Sequence, residues 1–161
     1  MSRIACVIAA ALLLAGPASA ATITQHATTK SYALTLDVGP LETMYTQAQV
    51  KAKHPTAGEV MLGGSMGGMS GMTMAAGNRH LEIHVASRTT GKVLAVAPSS
   101  ITLTDTTGTA MSEKVSVVEM EGIGEGMADL HYGNNVKVTV GHTYEVTVTV
   151  KGETASFTFR A

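Results

Sequence analysis

The chain has 161 residues, of which 45% are hydrophobic, 14% charged and 4% aromatic, with ten Met, one Cys and no Trp. That length suits one domain, and low charge joined to good hydrophobicity excludes a disordered chain. A formal net charge of -1 excludes nucleic acid or an anionic membrane as an electrostatic partner, because both call for a basic surplus.

Residues 1–20 read as a secretory signal peptide. Arg3 supplies the positive start, Ile4 to Ala15 the apolar run, and Ala18-Ser19-Ala20 the small-residue cleavage site. The expected location is therefore the periplasm, with the mature protein starting near Ala21. The one cysteine, Cys6, falls inside that segment. A mature chain without thiols has no disulfide, no thiolate metal site and no cysteine nucleophile. Its stability must come from a packed core.

Residues 21–30 are polar and unpatterned, and are expected to form a loose leader before a domain spanning 31–161. From Ser31 onward the pattern has period two. Tyr32, Leu34, Leu36 and Val38 alternate with polar neighbours, and Leu81, Ile83 and Val85 do the same. Ile101 and Leu103 follow, then Val136, Val138 and Val140, then Tyr144, Val146, Val148 and Val150. Thr and Val favour strands, and turn signals such as Thr89-Thr90-Gly91 separate the runs. No stretch keeps a helical period. The expected fold is an all-β antiparallel sandwich of seven or eight strands. At the C-terminal end, burying one face favours a three-residue loop, Gly141-His142-Thr143, that pairs Val138 with Val146. A two-residue turn at Lys151-Gly152 then pairs Val146 with Phe157 and Tyr144 with Phe159. Those pairings predict a terminal three-stranded meander.

Two stretches interrupt the alternation. Residues 61–77 hold five Met and six Gly, including Met66, Met69, Met72 and Met74. A thioether is a soft, neutral ligand that selects Cu(I), and the intervening glycines let several sulfurs converge on one ion. The competing account is a flexible loop whose Met residues fill apolar gaps. Residues 119–131 combine Met120, Met127 and His131 with four carboxylates. That mixture suits copper in either oxidation state, or Fe(II); its plain alternative is a solvated acidic loop. Ahead of it, His80 and His84 flank Glu82 on one face of a strand. They lie about 13 Å apart along an extended chain, too far to chelate one ion together without a bend, although either could join a Met from the loop before Arg79. His54, next to Pro55, suits a structural turn, and no catalytic constellation is present.

The run Asp129-Leu130-His131-Tyr132-Gly133-Asn134-Asn135-Val136, with Met127 upstream, resembles the His-Tyr-Gly-x-Asn signature of periplasmic iron-transport accessory proteins. Those are copper-binding, immunoglobulin-like sandwiches encoded beside ferrous-iron permeases. The likeness spans roughly residues 31–160, with HYGNN as its specific part. It implies His131 and Met127 as copper ligands, with Met44 near the place of the family's early-strand His, so that a thioether stands in for an imidazole. It also implies a homodimer and a membrane permease or copper-delivery partner. The Met-Gly loop is an addition to the family pattern that favours copper.

Together these features describe a non-enzymatic periplasmic protein with an immunoglobulin-like or cupredoxin-like sandwich. It would hold Cu(I) or Cu(II) at Met127 and His131, with ferrous iron as the close variant. The rivals are a structural or adhesive sandwich that binds another protein, and a methionine trap for oxidants.

Overall fold

A computed structural model describes residues 21–62 and 77–161. The expected signal peptide, and the loop methionines Met66, Met69, Met72 and Met74, lie outside the described residues. Among the described residues, eleven strands run in chain order: β1 (Ile23–Thr28), β2 (Tyr32–Pro40), β3 (Met44–Thr46), β4 (Glu59–Met61), β5 (Arg79–Ser87), β6 (Ser100–Asp105), β7 (Met111–Val115), β8 (Val118–Gly122), β9 (His131–Val136), β10 (Thr143–Val150) and β11 (Glu153–Arg160). They form an all-β sandwich. One sheet has seven strands in the order β1-β2-β5-β9-β8-β4-β3, and the other has four in the order β11-β10-β6-β7. Pairing is antiparallel except between β3 and β4. The excess over the seven or eight strands expected comes largely from short or edge pieces, such as the three-residue β3 and β4.

The core lies between the sheets. Leu34, Leu36, Leu81 and Ile83 from the larger sheet meet Ile101, Leu103, Val146 and Phe157 from the smaller one. Each of these is 3% exposed or less. This is the arrangement that period-two alternation demands, with one face of each sheet packed inward.

Several expectations are corrected. The supposed leader is an edge strand, with β1 paired to β2 from Ile23↔Val38 to Thr28↔Ala33. Only Ile23 and Ala27 of that segment pack on the core, too few apolar residues to announce a strand. The C-terminal meander is also wrong in its first member. Residues 131–136 pair with β5 and β8 in the larger sheet, not with β10. The chain then crosses between sheets, held by Val138 N–H donating to Asn78 Oδ1 and Thr139 N–H donating to Tyr144 Oη. Val136 and Val138 are buried on this path while Val140 is 82% exposed; alternation alone does not say which sheet a strand joins. The second hairpin is as expected, with Val148↔Ala155, Val146↔Phe157 and Tyr144↔Phe159. Lys151 and Gly152 both take positive φ, the geometry of a two-residue hairpin turn.

The segment 119–131 is not one loop, since β8 occupies Val118–Gly122 and a 3-10 helix spans Gly126–Asp129. Met61, placed at the start of the Met-Gly loop, ends β4. One short helix, α1 (Gln47–Lys53), also forms. Thr46 caps it, accepting from Gln49 N–H while the Gln49 side chain accepts from Thr46 N–H, a capping box that satisfies two otherwise free donors. His54 closes the helix in the left-handed conformation, the structural role expected for it.

Candidate metal centre

The outer face of the larger sheet carries a cluster of candidate metal ligands. In β5 the core takes Leu81, Ile83 and Val85, so His80, Glu82 and His84 point the other way. Strand β9 runs beside it with Glu82 facing Gly133 and Ile83 facing Tyr132, which brings His131 alongside His84. A Cβ added at Gly133 would stand 1.8 Å from the Leu81 carbonyl oxygen. Only glycine allows the two strands this approach. On the far side of β9, Met120 of β8 pairs with His131, and Glu59 of β4 pairs with Gly122 and with Met44 of β3.

These placements bring Glu59, His80, Glu82 and His131 together, each offering a ligand atom within 4.8 Å of the others. The two rings stand edge to face, with centroids 5.9 Å apart. His131 Nε2 lies 3.3 Å from Glu59 Oε2, and His80 Nε2 lies 4.0 Å from Glu82 Oε1. A tetrahedral ion with bonds of about 2.0–2.1 Å keeps its ligand atoms about 3.3–3.4 Å apart. The first pair already has that separation, and the second needs a small inward shift. His80 and His131 are fully buried and Glu59 is 7% exposed.

Both imidazoles are held through their other nitrogen. Asn135 Nδ2 donates to the Glu42 carbonyl at 3.0 Å, so its amide oxygen is the acceptor that faces His80 Nδ1 at 2.8 Å. His131 Nδ1 donates to the Asp129 carbonyl at 2.7 Å. In the neutral imidazoles the lone pair is therefore on Nε2 and faces the cluster, as in metal-binding histidines oriented by an outer acceptor. Among the described residues, His80 Nε2, His131 Nε2 and Glu59 Oε2 are buried without a hydrogen-bond partner.

Charge in the cluster is tightly coupled. Burial works against the His131 imidazolium, but the Glu59 carboxylate, the Asp129 carbonyl and the Glu82 charge together raise its pKa above the ordinary value. Burial pushes Glu82 up, yet the His84 imidazole and the charges of His131 and His80 bring it below the usual carboxylate range. Glu42, desolvated and facing Glu59, is raised. A cavity of about 410 Å³ opens beside the cluster, with Glu42, Glu59, Glu125 and Asp129 in its wall. Four carboxylates around one opening draw cations toward it.

His80 and His131 join one site. His84 does not share it with His80, as the strand spacing required, and its ring lies 5.4 Å from that of His131. Met44 is buried in a small cluster with Val118 and Met120, against which Met61 packs. Met127 is 57% exposed, so among the described residues the thioethers buried on the site's face are Met44 and Met120. Glu59 and Asn135 escaped the sequence reading. Glu59 opens a three-residue strand with no pattern to mark it, and Asn135 lies in the His-Tyr-Gly-x-Asn run without a role of its own assigned to it. His26 of β1 bonds Thr35 of β2, and His142 bonds Asp105 at 2.7 Å; neither joins the cluster.

No family model, no curated protein and no solved structure matches this chain.

Proposed function

We propose that this chain is an exported, non-enzymatic metal-binding protein whose ion is copper, held by His80 and His131 Nε2 with the Glu59 and Glu82 carboxylates. One observation carries the reading: three buried, mutually adjacent ligand atoms lack hydrogen-bond partners among the described residues. His131 Nε2 and Glu59 Oε2 can pair with each other only when His131 is protonated; with His131 neutral all three atoms are unsatisfied, at about 1–3 kcal/mol each. A cation supplies the missing partner for all three.

Two imidazoles and carboxylates suit a first-row divalent ion, and Cu(II) binds most tightly in that series. Met44 and Met120, on the same face, offer soft donors that suit Cu(I). The likeness of HYGNN to the copper-binding iron-transport accessory proteins supports the same metal. Two histidines with a carboxylate also form the common Fe(II) set, so ferrous iron handled beside a permease is the second reading.

Competition titration of the mature protein with Cu(I), Cu(II), Fe(II) and Zn(II) tests it. Tight 1:1 copper binding that is lost in His131→Ala supports the proposal. Binding of none of the four ions overturns it and favours a partner-binding sandwich.

A further inference from the structure

The donors on this face continue beyond the buried cluster. Asp37, Glu82 and His84 form a second group whose ligand atoms all lie within 4.8 Å of one another. His84 Nε2 is 3.5 Å from Asp37 Oδ2 and 3.5 Å from Glu82 Oε2. Both separations lie close to the edge of a tetrahedral ion, about 3.3–3.4 Å.

The strands set this geometry. Asp37 faces Glu82 across β2 and β5, and Thr24 on β1 donates to Asp37 Oδ1, which leaves Oδ2 turned to His84. Glu82 sits between the two groups, with Oε1 toward His80 and Oε2 toward His84. A carboxylate so placed can bind one ion through each oxygen. Exposure is graded along the row: the side chains of His84, Asp37 and Glu82 are 24%, 19% and 19% exposed, whereas those of His80 and His131 are 0% exposed.

Resting on the metal-binding reading above, we infer that the chain has a second, outer cation position formed by Asp37, Glu82 and His84, with Glu82 bridging it to the buried one. Its ligand set is one imidazole and two carboxylates, harder than the inner pair of imidazoles, and suits a divalent first-row ion that keeps bound water. The outer ion binds more weakly and exchanges faster, because it is reached directly from solvent.

Equilibrium dialysis and visible spectroscopy of the mature chain with Co(II) test this. Two Co(II) per chain are expected in the wild-type protein, with one remaining in Asp37→Asn and in His84→Gln. Each of those variants removes a charge or an imidazole from the outer position and so weakens it, leaving the inner one in place. Glu82→Gln weakens both positions, and thermal unfolding of the metal-free variants shows whether each is folded. A wild-type stoichiometry of one, unchanged by Asp37→Asn and lost in His131→Ala, overturns the outer position and leaves the inner site standing. Two Co(II) that persist in folded Asp37→Asn and His84→Gln also overturn it. No Co(II) binding at all overturns the outer position and weighs against the metal reading beneath it.

Discussion

Asn135 sets the protonation pattern of His80. Its amide oxygen accepts from His80 Nδ1 at 2.8 Å while its amide nitrogen is anchored on the Glu42 carbonyl. The proton is kept on Nδ1, and the bare Nε2 is directed at Glu82 and His131. A residue that touches no ion therefore decides whether His80 can bind one.

Asn135→Ala removes that hold without touching a ligand. Outer partners of metal-bound histidines are worth 10- to 100-fold in affinity, so copper affinity should fall by about that range. Asn135→Asp keeps an acceptor toward Nδ1 and should retain more affinity than the alanine variant. Competition titration of both variants checks the order.

Gly133→Ala tests the close approach of β9 to β5. The added methyl meets the Leu81 backbone at 1.8 Å, and neither strand can swing aside between its neighbours. Overpacking costs about 1–3 kcal/mol, and a backbone clash belongs at the upper end. Urea unfolding should show that loss, with weakened metal binding as His131 is displaced from His80.

The signature that carried the resemblance can now be divided by task. His131 places its Nε2 beside Glu59, Tyr132 is a core residue 1% exposed, and Gly133 permits the strand contact. Asn134 accepts from Asn135 N–H, and Asn135 orients His80. The all-β sandwich was legible because alternating Leu, Val and Ile on β2, β5, β6 and β10 leaves little else to build. Strand pairing was less legible. Val136, Val138 and Val140 alternate correctly for a hairpin with β10, yet β9 is buried on both sides and joins the other sheet. The site was half visible: His80, His84 and His131 stood out, but Glu59, Glu82 and Asp37 depend on which strands lie side by side, and no local pattern records that.

Protonation should oppose metal binding. The folded His131 pKa lies above its ordinary 6.5. In the metal-free protein its contribution to stability is thus fully present below about 6.5 and lost as pH rises through the raised value. Metal affinity runs the other way and falls as pH drops through that value. Denaturation of the metal-free protein from pH 5 to 8 should show declining stability from this group, and His131→Ala should flatten that part of the profile.

Glu153 gives an independent acid-side test. Ser31 donates to its carboxylate from Oγ at 2.6 Å and from N–H at 2.8 Å, tying the β1–β2 turn to the start of β11. Those bonds, with one from Thr29, hold its pKa down to about 2 from an ordinary 4.5. Its stabilisation is present above about 4.5 and disappears as pH falls through about 2. Glu153→Gln should be less stable than wild type at neutral pH and converge with it near pH 2, as read by acid unfolding.

The most direct test of the metal centre counts imidazoles. Pulsed electron paramagnetic resonance of the protein with one equivalent of Cu(II) should show two coordinated histidine nitrogens, falling to one in either His80→Ala or His131→Ala. A signal unchanged by both substitutions, or copper bound without any imidazole, would contradict the paired His80–His131 site.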